Sequence, residues 1–491
     1  RGEYYKDPSL AANGYRPRPY SQYPFMHNLS VYAEEDIRFP IGGTTLEVTA
    51  GLRMENVFIR NSLYKNKATL SPRFNAKWQL TDGLSIRGGW GITEKLPSYH
   101  ILYPKQEYRD IQTFGFSHGE QTSYVYYTQP YTVRYNPGLR WQRNRNMEFG
   151  IDASFKDMKV SLVGFWNVTR DPYNFLDVYD PYSYDILQRP SGFVMPENPQ
   201  ITVDSQTGMV WLRGNDEEYW TPMDVKVTDR TFAKSKQQNN GADTHRAGVE
   251  AVIEFPEIKP VRTTFRVDAA YTWTHYLNEQ LSYYYQNGWS HTSLPNRSYQ
   301  YVGIYANGGG ATNYVGNGKI THDLDANITA ITHIPQVRLI ITCRLEMSLL
   351  RRSRILSEYG GKEYAFNTSQ NDNRPTGGSI YDGESYTAVY PVAYMDLDGN
   401  VHPFTEAEAA DPEFASLILK SGNAYTFVQN GYGPYMSANL SITKEIGDHV
   451  SLSFFANNFT NSRPYVKSLA TGIGAIFTPM FYYGLTCRLK F

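Results

Sequence analysis

Three groups of residues in this chain have types and spacings that could do chemistry. Gly115-Phe116-Ser117-His118-Gly119 fits G-x-S-x-G, the turn that presents a nucleophilic serine between a strand and a helix. The residues after it, Glu120 to Tyr127, read as extended chain, so a glycine-flanked turn is expected and no catalytic residue is assigned. Asp396-Leu397-Asp398-Gly399-Asn400 has the look of a calcium loop. An EF-hand needs glycine at its sixth position and a carboxylate at its twelfth, and here the twelfth is Ala407. Asp-Gly between Tyr394-Met395 and Val401-His402 is a hairpin signal instead. Just beyond it, Thr405 with Glu408 forms a capping-box pattern, predicting a short helix towards Leu419 that ends near Gly422.

The third group is aromatic. Tyr124, Tyr126, Tyr127, Tyr131 and Tyr135 fall in one long connection, and Tyr283, Tyr284, Tyr285 and Trp289 in another. Such rings stack on sugars while their polar tips hydrogen-bond, so these nine are the candidate contacts for a substrate or partner. Packing of the connections against one another is the competing reading. No metal or cofactor site is expected, since the two cysteines form no CxxC and no His/Cys spacing suggests zinc.

Composition narrows the setting for these groups. Among 491 residues, 48 acidic and 47 basic side chains leave a net charge of −1, which gives nucleic acid no electrostatic footing. Mean hydropathy is −0.51. The most apolar stretch, Val337 to Leu350, is broken by Arg338, Arg344 and Glu346, so no membrane helix is expected. The chain opens Arg1-Gly2-Glu3 with neither an initiator Met nor a signal peptide, and is expected to be processed, trimmed or partial.

Strict alternation recurs along it. From Val261 to Trp273 the odd positions include Val261, Phe265, Val267, Tyr271 and Trp273, and the even ones Arg262, Thr264, Arg266 and Asp268. Leu84 to Ile92 and Val337 to Leu349 repeat the pattern, the mark of strands with two unlike faces. Short turns near 40–44, 81–83, 156–158, 256–260, 334–336 and 447–449 take turns with long connections near 59–69, 95–139, 171–240, 277–317, 351–432 and 461–478. Soluble β-domains rarely need many connections beyond about 15 residues. Outer-membrane barrels have this asymmetry by construction, with short periplasmic turns and long extracellular loops. Aromatics near strand ends (Phe39, Trp78, Trp90, Trp166, Trp273, Phe481, Tyr483) suit interfacial girdles, and charges on the other face suit a wet lumen. The expected fold is all-β, an antiparallel transmembrane β-barrel wall. Strict phase puts Glu35 on the lipid side, and a bulge at Ala33–Asp36 is expected to re-aim it. Arg143 and Arg145 also fall outward, near the extracellular end. Cys343 and Cys487 take the lipid phase as free thiols.

Several segments carry a family resemblance. Ser71-Pro72-Arg73-Phe74 with Thr81-Asp82-Gly83-Leu84-Ser85-Ile86-Arg87, Asn136-Pro137-Gly138-Leu139-Arg140-Trp141 with Glu148-Phe149-Gly150, Phe455-Ala456-Asn457-Asn458-Phe459-Thr460-Asn461, and the closing Gly484 to Phe491 resemble the C-terminal part of a TonB-dependent outer-membrane transporter barrel. Trp141 leans towards the SusC-like branch; Gln142, where that branch usually has Glu, departs from it. The resemblance implies non-enzymatic, TonB-dependent import of an oligosaccharide or peptide, with a SusD-like surface lipoprotein as lid; a siderophore- or cobalamin-type receptor is the alternative. An outer-membrane hydrolase, or a passive porin or adhesin, stands as the reading of another class. About 13 strands are expected from this chain out of the 22 of such barrels. Residues 1–25 would be the tail of an extracellular loop and 26–491 the C-terminal part of the barrel. The plug, the first strands and the contact with TonB would belong to a missing N-terminal part or to a second chain. Outer-membrane lipid would surround the whole.

Overall fold

The computed structural model describes residues 4–5, 21, 23–103, 109–129, 133–214, 218–285, 301–306, 316–367, 387–421 and 427–489. Thirteen strands follow one another, each paired to the next, in a single antiparallel sheet. They begin with β1 (Met26–Ile41), β2 (Thr44–Ile59), β3 (Ala68–Thr81), β4 (Leu84–Lys95), β5 (Gln142–Phe155) and β6 (Met158–Arg170). Then come β7 (Thr244–Glu254), β8 (Thr263–Leu277), β9 (Gly318–Ile334) and β10 (Leu339–Leu356). The last three are β11 (Tyr435–Ile446), β12 (Val450–Asn457) and β13 (Tyr482–Leu489). The sheet is open between β1 and β13 among the described residues. No helix is long and apolar enough to cross a membrane, which says nothing of strands.

Tight turns close one end of every second hairpin. Gly42 (φ 55°) and Gly43 (φ 83°) join β1 to β2, and Lys156 (φ 46°) and Asp157 (φ 68°) join β5 to β6. Two consecutive left-handed residues match the twist of the flanking strands, which is why such turns suit hairpins. Long connections occupy the other end.

Directly paired residues share a face of the sheet. One outer row can therefore be followed through Ala50, Phe74, Trp90, Met147, Trp166, Ala247 and Trp273. Phe74, Trp90, Met147 and Trp166 in it stand exposed, as do Leu52, Leu162 and Leu485 on the same face. The alternating residues line the other face with ions. Arg87 bridges Asp152 at 3.1 Å and Glu148 at 3.9 Å, Arg266 bridges Asp268 at 3.4 Å, and Arg351 bridges Asp323 at 3.2 Å. An apolar outside with a charged inside is the arrangement of a membrane barrel wall.

One expected departure from strict phase is absent, and another occurs elsewhere. The expected bulge at Ala33–Asp36 is not there: β1 and β2 pair one-to-one from Met26↔Ile59 to Ile41↔Thr44. The two-residue turn fixes that register, so Glu35 stays opposite Ala50 on the outer face. A bulge does occur on β10. Leu324 pairs Leu350 and Asp325 pairs Ser348, leaving Leu349 as the extra residue. Past it the phase inverts, so Arg351 points to the lumen and Arg352 and Arg354 outward.

The long connections fold into small sheets of their own. Arg109–His118 and Gln121–Gln129 form a hairpin whose edge pairs with Tyr4–Tyr5. Tyr173–Gln188 and Asp224–Asn240 form an antiparallel arm, to which Val133–Arg134 adds a short parallel strand. Ser282–Tyr284, Val302–Tyr305, Ala393–Met395 and Val401–Pro403 build a four-stranded sheet from two different connections. We call this layer the crown, and most of the buried apolar core sits in it. One cluster joins Phe114, Phe116, Val125, Leu187, Val210 and Leu212; another joins Phe232, Tyr285, Val302 and Ile304. The predicted capping box is present, with Thr405 accepting from Ala407 N and Glu408 reaching back to Thr405 N. The helix is shorter than expected, Glu406–Ala410. Pro412 pushes Asp411 into extended conformation, and a 3-10 turn, Pro412–Leu417, replaces the rest.

Candidate binding surface

The crown sorts the candidate tyrosines into different environments. On the strand Gln121–Gln129, Tyr124 and Tyr126 share one face, with ring centroids 6.2 Å apart. Tyr127 faces the other way and stacks on Tyr182 (6.1 Å, 25°) and Tyr184 (6.4 Å, 13°), which stack on each other at 5.9 Å. These three half-buried rings form a triangular cluster with near-parallel planes. Tyr135 stands apart, stacked on Tyr103 at 5.8 Å with its hydroxyl 3.1 Å from Ser62 Oγ. Tyr285 is a core residue, packed edge-on against Phe232 at 5.1 Å, and Tyr284 meets Tyr305 edge-on at 6.5 Å. Tyr283 packs partly buried beside the same cluster as Tyr285. Tyr131 and Trp289 lie outside the described residues. Tyr182 and Tyr184 are additions that sequence reading passed over. Their signal was the alternation Tyr182-Ser183-Tyr184 inside an otherwise polar run.

A polar groove of about 1060 Å³ lies at the tip of the same hairpin, lined by Glu120, Gln121, Thr122, Glu197, Gln200 and Trp220. Arg213 lies over the Trp220 ring at 4.7 Å, and Gln121 Nε2 donates to Pro199 O at 2.9 Å, closing one wall. Ser117 belongs to this hairpin. It is a strand residue followed by a turn at Gly119 (φ 59°), not by a helix, and its hydroxyl sits 3.2 Å from Thr122 Oγ1. The elbow geometry that would expose a nucleophile is not formed.

The Asp396 segment is the expected hairpin. Its carboxylate accepts from Asp398 N and Asn400 N, both at 2.9 Å, and lies 2.8 Å from His402 Nε2. With those donors, led by His402, its acidity is strengthened and its pKa falls to about 2. Among the described residues no group of three His, Cys, Asp or Glu could hold a metal ion.

The Asn136–Trp141 motif fastens the connections together. Trp141 Nε1 donates to Asn66 O at 2.7 Å, while Asn66 Nδ2 donates to Gly138 O and Leu139 O at 3.0 Å. Asn136 Nδ2 donates to Gln238 O at 2.9 Å, and Asn240 Oδ1 accepts from Arg140 N at 2.9 Å. Three connections, near residues 66, 138 and 239, are thereby tied at the rim. Tyr64 and Tyr173 flank this knot, and burial pushes both phenols well above their ordinary value. The late motif does similar work: Asn458 (φ 47°) accepts from Ser462 N and donates to Pro479 O, gathering the last connection.

Below the crown the lumen wall is polar. Arg73, Asn75, Thr93, Glu148, Asn167 and Glu250 line a groove of about 530 Å³ there. A ligand leaving the crown would meet hydrogen-bonding groups along this face.

No curated protein matches the chain. A mutant of the ferric enterobactin receptor PfeA from Pseudomonas aeruginosa is 14% identical over 95% of this chain and 45% of that one, with a TM-score of 0.44. The siderophore receptor PirA from Acinetobacter baumannii is 12% identical over 95% and 46%, at 0.44. The FrpB iron transporter from Neisseria meningitidis is 13% identical over 95% and 45%, at 0.40. The chain thus spans less than half the length of these structures. The family described as "TonB dependent receptor-like, beta-barrel" matches residues 1–459. The chain belongs to that family, and its wall is a β-barrel wall of the outer membrane.

Proposed function

We propose that the chain is the C-terminal part of the barrel of a TonB-dependent importer of the SusC-like type, and that its cargo is an oligosaccharide or a peptide. The observation carrying this reading is the cluster that Tyr127, on the hairpin that bears the polar groove, forms with Tyr182 and Tyr184 of the neighbouring arm. Near-parallel phenols and, further along the same hairpin, carboxylate, amide and hydroxyl groups suit an extended, hydroxyl-rich ligand that presents both apolar faces and donors. Trp141 in the rim knot is the further point in favour of the SusC-like branch.

The open edges of β1 and β13 expose unpaired backbone groups, which a bilayer does not tolerate. Further strands and a plug, from the same or a second chain, complete the barrel in this reading. TonB acts through that plug, and a SusD-like lipoprotein covers the crown. No reaction is assigned to Ser117.

Calorimetric titration of the full-length protein with oligosaccharides, peptides and ferric chelates tests the cargo. A glycan or peptide should bind, and Tyr127→Ala with Tyr184→Ala should together weaken it about thirtyfold, since aromatic contacts contribute roughly 1 kcal/mol each. Binding of a ferric chelate alone, unaffected by these substitutions, would turn the reading to the siderophore type.

A further inference from the structure

A strand edge in water is a place where another chain can add on, and folded proteins guard such edges with charge, proline or brevity. The crown follows this rule along its arm. Tyr173–Gln188 carries Asp177, Asp180, Pro181 and Asp185, and Asp224–Asn240 carries Lys226, Arg230, Lys234 and Lys236. Elsewhere its edges are short: Gln200–Val203 has four residues, and Val401–Pro403 has three and ends in proline.

Gln121–Gln129 breaks the rule. Its nine residues hold no charge, no proline and no glycine. One of its edges pairs with Arg109–His118. The other pairs, among the described residues, only with Tyr4–Tyr5, antiparallel, with Tyr4 opposite Tyr127 and Tyr5 opposite Tyr126. A distant segment of the chain thus sits on this edge as an added strand. From Val125 to Gln121 the edge runs on to the hairpin tip, where Gln121, Thr122 and Ser123 line the polar groove. Every second residue of a strand aims its N–H and C=O at a given edge. A peptide backbone matches that repeat, and a sugar chain does not.

The side chains along the path suit the same ligand. Tyr124 and Tyr126 stand on one face of the strand, and Tyr127 with its partners Tyr182 and Tyr184 on the other. Alternate side chains of an added strand lie against each face in turn. We infer that the cargo is a peptide in extended form, added as a strand to the edge of Gln121–Gln129, and that Tyr4–Tyr5 holds this place until the peptide displaces it. The inference rests on the importer reading and narrows its cargo to one class.

Fluorescence polarisation with the full-length protein in detergent provides the test, using a labelled peptide of the sequence Gly2-Glu3-Tyr4-Tyr5-Lys6-Asp7. It should bind. Tyr4→Pro with Tyr5→Pro removes the resident strand's donor, whichever of the two faces the edge, and should tighten peptide binding about fivefold or more. Two further peptides carry N-methyl groups on alternate amides, one at the positions of Glu3 and Tyr5 and the other at those of Tyr4 and Lys6. One of them should bind about thirtyfold or more weakly, having lost two edge bonds, and the other should change less than about threefold. Equal effects of the two methylation sets, or unchanged affinity in the proline variant, would overturn the added strand. Failure of the peptide to bind would overturn it as well. Oligosaccharide binding by the same preparation would then leave the importer reading standing, whereas a ferric chelate as the sole ligand bound would remove that reading too.

Discussion

Wall and crown solve opposite solvent problems with the same strand geometry. In the wall, Leu52, Leu162 and Leu485 point out of the sheet and are exposed, while Asp152, Asp268 and Asp323 face in with their cations. In the crown, Val125, Val210 and Leu212 are fully buried, and charged groups such as Arg230 and Asp398 pair at the surface. The difference teaches where stability comes from in each. The wall is held by continuous backbone pairing and gains from lipid; the crown needs a core, as any water-facing domain does.

The largest effect expected from this contrast is in the crown. Leu212→Asp puts a carboxylate among Phe114, Val125 and Val210 and should cost roughly 4 kcal/mol or more of local stability. Limited proteolysis should then cut connections 96–141 and 171–243, while the heat-modifiable gel mobility of the barrel persists. Simultaneous loss of both would merge the two regions into one cooperative unit.

Next comes a pair of neighbours in the wall. Ala269 lies outward in register with Ala251 and Ala326, and Ala270 lies inward between Glu250 and Asp325. Ala269→Arg should cost about 2–4 kcal/mol in bilayers, whereas Ala270→Arg, facing two carboxylates, should cost under about 1 kcal/mol. Urea unfolding in lipid vesicles measures both, and equal costs would break the assignment of faces.

A smaller effect is expected at Tyr305. It is fully buried and donates to Leu417 O at 2.6 Å, so Tyr305→Phe leaves a carbonyl unsatisfied. A loss of about 1–3 kcal/mol should follow, read by faster hydrogen exchange in the sheet around it.

The smallest effect concerns pH at the Asp396 hairpin. Its folded pKa is depressed to about 2, so its contribution is full above the ordinary carboxylate value and is lost as pH falls towards about 2. Exchange at the Asn400 amide should accelerate across that window, and Asp396→Asn should abolish the dependence.

The wall was legible in the sequence because each strand repeats one rule, apolar out and polar in, and each short turn is local. Gly42-Gly43 and Lys156-Asp157 announce themselves within a few residues. Glu35 misled because one charge in an apolar phase suggests a bulge, whereas register is set by the whole hairpin. The bulge at Leu349 left no comparable trace, since Leu349 and Leu350 are both apolar. The candidate site was half legible. Tyr127 was marked by its cluster, but its partners Tyr182 and Tyr184 come from another connection, brought beside it by tertiary packing. Tyr284 and Tyr285 look alike in sequence, yet Tyr285 packs against Phe232 and Tyr284 against Tyr305, because adjacent positions of an extended chain meet different neighbours.

The central claim is that alternate wall residues meet lipid and water. With Cys343 and Cys487 replaced by alanine, a nitroxide placed at each position from Phe265 to Trp273 in lipid nanodiscs tests it by collision with oxygen and with a nickel chelate. Oxygen accessibility should peak at Phe265, Val267, Ala269, Tyr271 and Trp273, and nickel accessibility at Arg266, Asp268, Ala270 and Thr272. A reversed phase, or no period of two, would contradict the account.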